Sequence, residues 1–593
     1  MNPRNRPRHA LCQLVAMALV AAHACAAGAA TKVWTGPYVP PPKPAYSKIT
    51  LGTYVFPGWY RGEGRGDYPY RTHDEDSEWR RCVVKVPKPR PLLGFYDDSL
   101  PEVNDWHITW ALDHGISYFA FDWYWNAGEH RLLRTLERGF LKAKYAPQMK
   151  FCIHWCNHGL DWRGHGWGKA KLDFSRPALV AMTEYLADHY FKLPNYLTID
   201  GRPVLMVFRA GGLIKGNGGP AALRASLDAM NQVLRARGLK DLYLVGRAAR
   251  EPIAKAAGVA ATTCYGYASV EPTSAYTARR GLSVPYQELV ARQQASWRRI
   301  TTARDLPNVL AMSVGWDDRP RAREKALVFA GKTPQSFKRL CASALENIDP
   351  RTNMAVIATW NEWGEGSFLE PDKQWGFAFL DAVRDTFTDA PPHHTDYAPS
   401  QDAVRRLSLL SPDELAKAAE AERLPEIQLP TLLKAQRCTI DKPLPKRGPL
   451  KGWEFDTASA EGWRPANVEP LTVANGVLAT TVTRHDPHLV AWGIGVPAAD
   501  LACIAVRLRA SKTARTAQLF WAAAGQPKFT EGASFTFALA DDGGWHTYQI
   551  AGTMLGRWMK TPNSLRLDVG EPGDKIEIDW IRIYALAPPA AER

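Results

Sequence analysis

Met354-Ala355-Val356-Ile357-Ala358-Thr359-Trp360-Asn361-Glu362-Trp363-Gly364-Glu365-Gly366-Ser367-Phe368-Leu369-Glu370-Pro371 is the stretch on which the reading of this chain turns. The run from Met354 to Thr359 is apolar without alternation, the pattern of a strand buried on both faces. It stops at Trp360-Asn361, where carboxylates, glycines and aromatics crowd together. Glu362 and Glu365 lie three residues apart, with Trp360 before them and Trp363 between them. Gly364 and Gly366 allow a tight turn and a close approach of backbone to a ligand. Carboxyls beside indoles suit sugar chemistry: ring faces stack on apolar sugar faces, one carboxyl protonates a leaving oxygen, and the other handles the developing charge. A solvated surface turn has no need of Trp, Asn and Trp around its glutamates. Glu370, placed before Pro371, reads as a structural or rim residue.

Upstream of this stretch a beat repeats of helix, short apolar strand and polar or aromatic exit. Strands are predicted at 49–56, 117–121, 150–154, 203–208, 242–245, 258–263, 309–314 and 354–359. Helices are predicted at 103–114, 130–144, 177–190, 223–237, 286–301, 336–348 and 374–387. A long charged insertion, 61–90, interrupts the beat. Eight strands mostly alternating with helices predict an α/β fold, a (β/α)8 barrel over 45–395, with reactive groups at the carboxyl ends of its strands. Segment 396–450 reads as helical, with a second start at Ser411-Pro412-Asp413-Glu414, ending in a Pro- and Lys-rich linker. From 451 to 587 short alternating strands with turn residues predict an all-β sandwich.

The 360–366 stretch resembles the signature of the glycoside hydrolase family 99 endo-mannosidases, Trp-Asn-Glu-Trp-His-Glu-Gly, with Gly364 where that family has His. It is still more similar to the related WbsX-type family, often labelled glycosyltransferase. Further matching pieces are Leu93-Gly94-Phe95-Tyr96-Asp97, the strand from Gly115 to Trp125, His154-Trp155-Cys156-Asn157, Asp200-Gly201-Arg202-Pro203-Val204 and Gly315-Trp316-Asp317-Asp318-Arg319-Pro320-Arg321. Cys156 stands where Ala is expected, and Asp318 where Asn is expected. The resemblance implies retaining cleavage of an α-mannoside-like bond assisted by the substrate's own 2-hydroxyl. Carried over by position, Glu362 is the base acting on that hydroxyl and Glu365 is the acid/base. Asp122, Trp123, Trp125, Trp155, Asn157, Tyr265, Trp316, Asp317, Arg321 and Asn361 are the expected sugar contacts. Arg319 and Arg321 would serve an anionic sugar, with Asp317 holding one of them in place. The C-terminal region resembles the jelly-roll carbohydrate-binding modules appended to such enzymes, on Asn475-Gly476-Val477-Leu478, Asp486-Pro487, Gly544-Trp545-His546-Thr547-Tyr548 and Ile578-Asp579-Trp580-Ile581. Trp492, Trp521 and Trp558 are its candidate sugar platforms or, equally, its core.

The chain has 593 residues, too many for one core, and 22 Trp. Its formal net charge of +14 can attract polyanions. The basic residues are scattered and bring no nucleic-acid motif, so the expected partner is a carbohydrate, with an acidic polysaccharide one option. The first residues read as a secretory signal over 1–26: Arg4, Arg6 and Arg8, then an apolar run from Leu11 to Ala22, then Ala22-His23-Ala24. Export to periplasm or medium is therefore expected, with lipid anchoring through Cys25 as a variant. No later run is long and apolar enough to cross a membrane. Nine Cys, sparsely spaced, make no disulfide scaffold, and Cys152 and Cys156 have no partner pair at zinc spacing. No metal, phosphate loop or dinucleotide fingerprint is apparent, and no cofactor is expected. The function predicted is an exported retaining glycoside hydrolase. The alternatives are a WbsX-type glycosyltransferase and a non-catalytic glycan-binding protein. Export argues against the transferase, because nucleotide-sugars are cytoplasmic.

Overall fold

The structure is a computed structural model describing residues 29–61, 77–157, 172–246, 251–265, 281–302, 305–391, 393–429, 438–445, 448–484, 486–496, 501–511, 513–514, 516–523, 529, 534–551, 562–570 and 572–585. The expected signal segment, Cys25 and Trp558 lie outside the described residues.

The repeating beat of the sequence becomes, in chain order, β1 (Thr50–Val55), α1 (Pro101–Asp113), β2 (Tyr118–Asn126), β3 (Lys150–Trp155), α2 (Arg176–Leu186), β4 (Arg202–Val207), α3 (Pro220–Ala236), β5 (Tyr243–Gly246), α4 (Glu251–Ala257), β6 (Ala261–Thr262), α5 (Tyr286–Thr302), β7 (Leu310–Ser313), α6 (Pro334–Leu345), β8 (Met354–Ala358) and α7 (Ala378–Phe387). The strands run parallel in the order β7-β8-β1-β2-β3-β4-β5-β6. Thr262 then pairs in parallel with Asn308, just ahead of β7. There Thr262 N donates to Pro307 O at 2.8 Å and Val309 N to Thr262 O at 2.9 Å. The ring is closed, and the fold is a (β/α)8 barrel. All five residues of β8 are buried, which is why that strand has no alternation: one face fills the barrel and the other meets the helices.

Helix starts follow the local chemistry. Thr333 caps α6 through a reciprocal capping box with Ser336, with Pro334 in the first turn. The helical part of the 396–450 segment divides as its internal Ser-Pro-Asp-Glu signal suggested, into Gln401–Leu407 and Pro412–Ala421, the second capped by Ser411 and Glu414. One predicted helix forms only in part, over 134–142. Over 130–144 the chain first folds back on β2 as a short strand, Glu129–Arg131, and continues through brief π and 3-10 turns. The turn at Ala127 and Gly128, both at positive φ, commits the residues after it to the sheet, and too few remain for a regular helix.

Two boundaries differ from expectation. Strand Ala29–Val33 pairs with His394–Ala398, so the barrel's surroundings run past 395. Cys438–Ile440, read as linker, is an edge strand of the C-terminal domain, paired with His546–Ala551. That domain has a seven-stranded and a five-stranded sheet, both antiparallel. Trp521 is buried within it, whereas Trp492 is 51% exposed. Among the described residues no helix is long and apolar enough to cross a membrane.

Candidate active site

Beyond β8 the chain forms a small hairpin. Asn361–Glu362 pairs antiparallel with Ser367–Phe368, and a 3-10 turn, Trp363–Glu365, closes it. Gly366 takes the left-handed conformation at φ 59°, as a non-glycine residue would do only with strain. Thr359 Oγ1 accepts from Glu362 N at 2.9 Å and donates to Ser367 O at 2.5 Å. Asn361 Oδ1 accepts from Phe56 N at 2.9 Å, tying the hairpin to the exit of β1. These bonds aim Glu362 and Glu365 to one side.

Both carboxylates meet a single guanidinium. Arg321 Nη2 donates to Glu362 Oε1 at 2.7 Å and Nη1 to Glu365 Oε1 at 2.6 Å. Its Nε donates to Glu78 Oε2 at 3.1 Å. Glu78 is buried and comes from the charged insertion after β1. Sequence reading passed over it, because nothing in its immediate neighbours marks it. Gly364 makes this arrangement possible: a Cβ there would lie 2.6 Å from Glu78 Oε2 and 2.7 Å from Arg321 Nε.

On the far side of Glu362 stands Tyr265. Its hydroxyl is 3.1 Å from both Glu362 Oε2 and Asp122 Oδ2. Asp122 in turn meets His154 Nδ1 at 2.6 Å, and the His154 and Tyr265 rings stack, 4° apart in plane. A phenol has one proton to donate. That proton can go to either carboxylate, so Tyr265 bridges Glu362 and Asp122. His154 was quoted among the family-like residues but not chosen. Its position at the end of β3, next in the sheet to β2, was the available signal.

The electrostatics follow from one cation among several acids. Burial pushes Glu362 up to about 7; Arg321 pulls it down, while Asp122 and Glu78 raise it further. Burial, then the Glu362 charge, holds Glu365 well above the usual carboxylate range. Like charges sharing a site cannot all ionise freely. The pair therefore retains a proton near neutral pH.

The other expected contacts divide. Asp122, Tyr265, Arg321 and Asn361 join the cluster. Asp317 N donates to Glu365 O at 2.6 Å, but its carboxylate grips Arg319, Nη2 to Oδ2 at 2.5 Å, as one reading of the pair expected. Arg319 reaches away to Glu426. Arg321 is ringed by the carboxylates of Glu78, Glu362 and Glu365. Asn157 is buried, with its amide bonded to the Arg209 backbone in both directions. The stacking surfaces are corrected. Trp360 and Trp363 are fully buried; Trp363 lies on Phe368 and donates to Glu370 Oε2 at 2.9 Å. Glu370, buried and also bonded by Tyr96 and near His107, has the structural role. Trp123 stacks on Trp125, and both are buried, as is Trp155. Trp316 is partly buried, with its carbonyl accepting from Phe329 N. Indoles are bulky apolar rings, and behind short strands they fill space before they face solvent.

The closed barrel thus carries a buried cluster of carboxyls at the carboxyl ends of its strands. Residues 85–383 match the profile of the family described as glycosyltransferase WbsX, and the chain belongs to that family. Uncharacterized WxcX proteins from two strains of Xanthomonas campestris pv. campestris are 28% identical over 345 residues, covering 54% of this chain. The chain spans 47% of the length of these relatives. Solved structures similar to it include a glycoside hydrolase-like protein (TM-score 0.40, 17% identity, 60% of this chain and 98% of that one). Another is a GH99 endo-alpha-mannosidase from Bacteroides thetaiotaomicron (TM-score 0.36, 16% identity, 63% and 99%). The C-terminal region is similar to a CBM4 module (TM-score 0.18, 15% identity, 22% and 99%).

Proposed function

We propose that this chain is an exported retaining glycoside hydrolase acting on an α-mannoside-like glycan. The observation that carries the reading is the junction of Glu362 and Glu365 on Arg321, where burial raises both carboxyls above the usual range. A glycosidase needs one carboxyl ionised and the other protonated at the working pH. In this reading Glu362 acts in its ionised form and Glu365 as the acid. Glu362 then draws the proton from the sugar 2-hydroxyl as that oxygen attacks the anomeric carbon. Glu365 gives its proton to the departing oxygen and afterwards takes one from the incoming water. Arg321 keeps Glu362 ionisable despite burial, and Tyr265 orients it. The sequence match to family 99 at Trp360-Asn361-Glu362-Trp363 and Glu365-Gly366 supports these roles. The barrel itself favours hydrolysis over transfer from a nucleotide-sugar, which doubly wound folds commonly bind.

The test incubates the purified chain with a panel of α-linked polysaccharides, with and without nucleotide-sugars. New reducing ends without a donor, abolished in Glu365→Ala and Glu362→Gln, are expected. Product formation only with a nucleotide-sugar would replace the proposal with a transferase, and retention on glycan without product would replace it with a binding protein. Proton NMR of the first-formed anomer decides retention.

A further inference from the structure

At the opposite end of the barrel a second cluster of ionisable groups lies outside this chemistry. His114 ends α1, four residues before β2. Asp381 lies on α7, and His394 and Asp396 lie on the strand paired with Ala29–Val33. Their ligand atoms all fall within 4.8 Å of one another. His114 Nε2 is 3.3 Å from Asp396 Oδ1 and 3.5 Å from Asp381 Oδ1; His394 Nε2 is 3.3 and 3.2 Å from the same two oxygens.

These separations are long for hydrogen bonds between a charged imidazole and a carboxylate, which run about 2.7–2.9 Å. His114 Nε2 is buried with no hydrogen-bond partner, as are Asp381 Oδ1 and Asp396 Oδ2. The His114 side chain is 1% exposed and that of Asp396 2%. His114 Nδ1 donates to Trp110 O at 2.7 Å, since a carbonyl can only accept. That bond occupies Nδ1 and leaves Nε2 as the atom facing the two aspartates, where a bound metal would displace its proton. A histidine that binds metal commonly uses its other ring N–H in this way. With Zn–N and Zn–O bonds of about 2.0–2.2 Å, tetrahedral geometry sets neighbouring ligand atoms about 3.4 Å apart. The four measured separations fall around that value.

We propose that His114, Asp381, His394 and Asp396 form a closed, tetrahedral Zn2+ site. It is structural, because four protein ligands leave no position for substrate. It would staple the end of α1 and helix α7 to the strand that follows the barrel. His114 and Asp396 stand 282 residues apart in sequence, as 396 minus 114 gives, so no motif spacing could have announced the set.

The test uses the full-length chain. Elemental analysis of protein purified without chelator is expected to find one equivalent of zinc. Chelation is expected to lower Tm by several degrees, and Zn2+ alone to restore it. Co2+ added to the metal-free protein is expected to give the intense visible bands of tetrahedral cobalt. His394→Gln and Asp396→Asn should weaken Zn2+ binding at least about 100-fold. The proposal fails if Tm is unmoved by chelator and by Zn2+, if the cobalt spectrum is the weak octahedral kind, or if both variants bind zinc as tightly as the parent. The Tm and cobalt measurements need no variant, so misfolding of a substituted chain cannot mask the answer.

Discussion

Carboxylates are buried at both ends of this barrel, and they behave in opposite ways. At the carboxyl ends of the strands, Glu78, Glu362 and Glu365 share one cation, Arg321, and burial raises both Glu362 and Glu365 above the usual carboxylate range. At the other end, burial pushes Asp396 up too, but His114 and His394 outweigh it and bring Asp396 down to about 2. Depth of burial is therefore not what sets proton affinity here; the ratio of buried acids to buried bases is. The acid-rich end holds mobile protons, as acid–base chemistry requires. The balanced end holds fixed charge, as a structural tie requires.

The largest expected effect breaks the acid-rich end outright. Glu365→Ala and Glu362→Gln should each lower glycan cleavage at least about a thousandfold, read as reducing ends released. Next comes the shared cation. Arg321→Lys keeps one charge but cannot reach three carboxylates at once, so kcat/KM should fall about tenfold to a hundredfold. With less cation to favour its ionised form, Glu362 rises further, and the acid limb of the pH–rate profile, expected near 7 in the parent, should move to higher pH. An unmoved limb would show that Arg321 does not set this charge balance.

A smaller effect concerns stability. Folded Glu365 keeps its proton where the unfolded chain loses it, so the folded state binds the excess proton and stability falls as pH rises above the ordinary Glu value. Glu365→Gln removes that penalty and should raise Tm by a few degrees at pH 8, with the gain shrinking toward pH 5. A constant gain across that range would point to repacking instead of charge. The smallest effect lies in the sandwich. Trp492→Ala should weaken retention on a polysaccharide about threefold to tenfold while leaving cleavage of a soluble oligosaccharide unchanged. Equal retention would assign that exposed indole no sugar.

The barrel was legible because it is built from local signals. Apolar runs at 150–154, 309–314 and 354–359 lack alternation, and a strand covered on both faces has no reason for any. The carboxyl pair proposed for the chemistry was legible too, as two glutamates, two glycines and an asparagine gathered immediately after such a run. The 130–144 segment is helical only from 134 to 142 because the positive-φ turn ahead of it draws its first residues back onto β2. The tryptophans misled in another way. Composition marks an indole as a sugar platform or as core without distinction, and only the packing around Trp360, Trp363 and Trp123 assigns them to the interior.

By itself, then, the sequence determined where strands and helices fall and which carboxyls stand at the mouth of the barrel, since both depend on residues adjacent in the chain. The partners of those carboxyls were decided only in the folded molecule. Glu78 reaches Arg321 across 243 residues, and His114 reaches Asp396 across 282. Charge balance in a buried site is a sum over neighbours in space, and closing the barrel is what makes these residues neighbours.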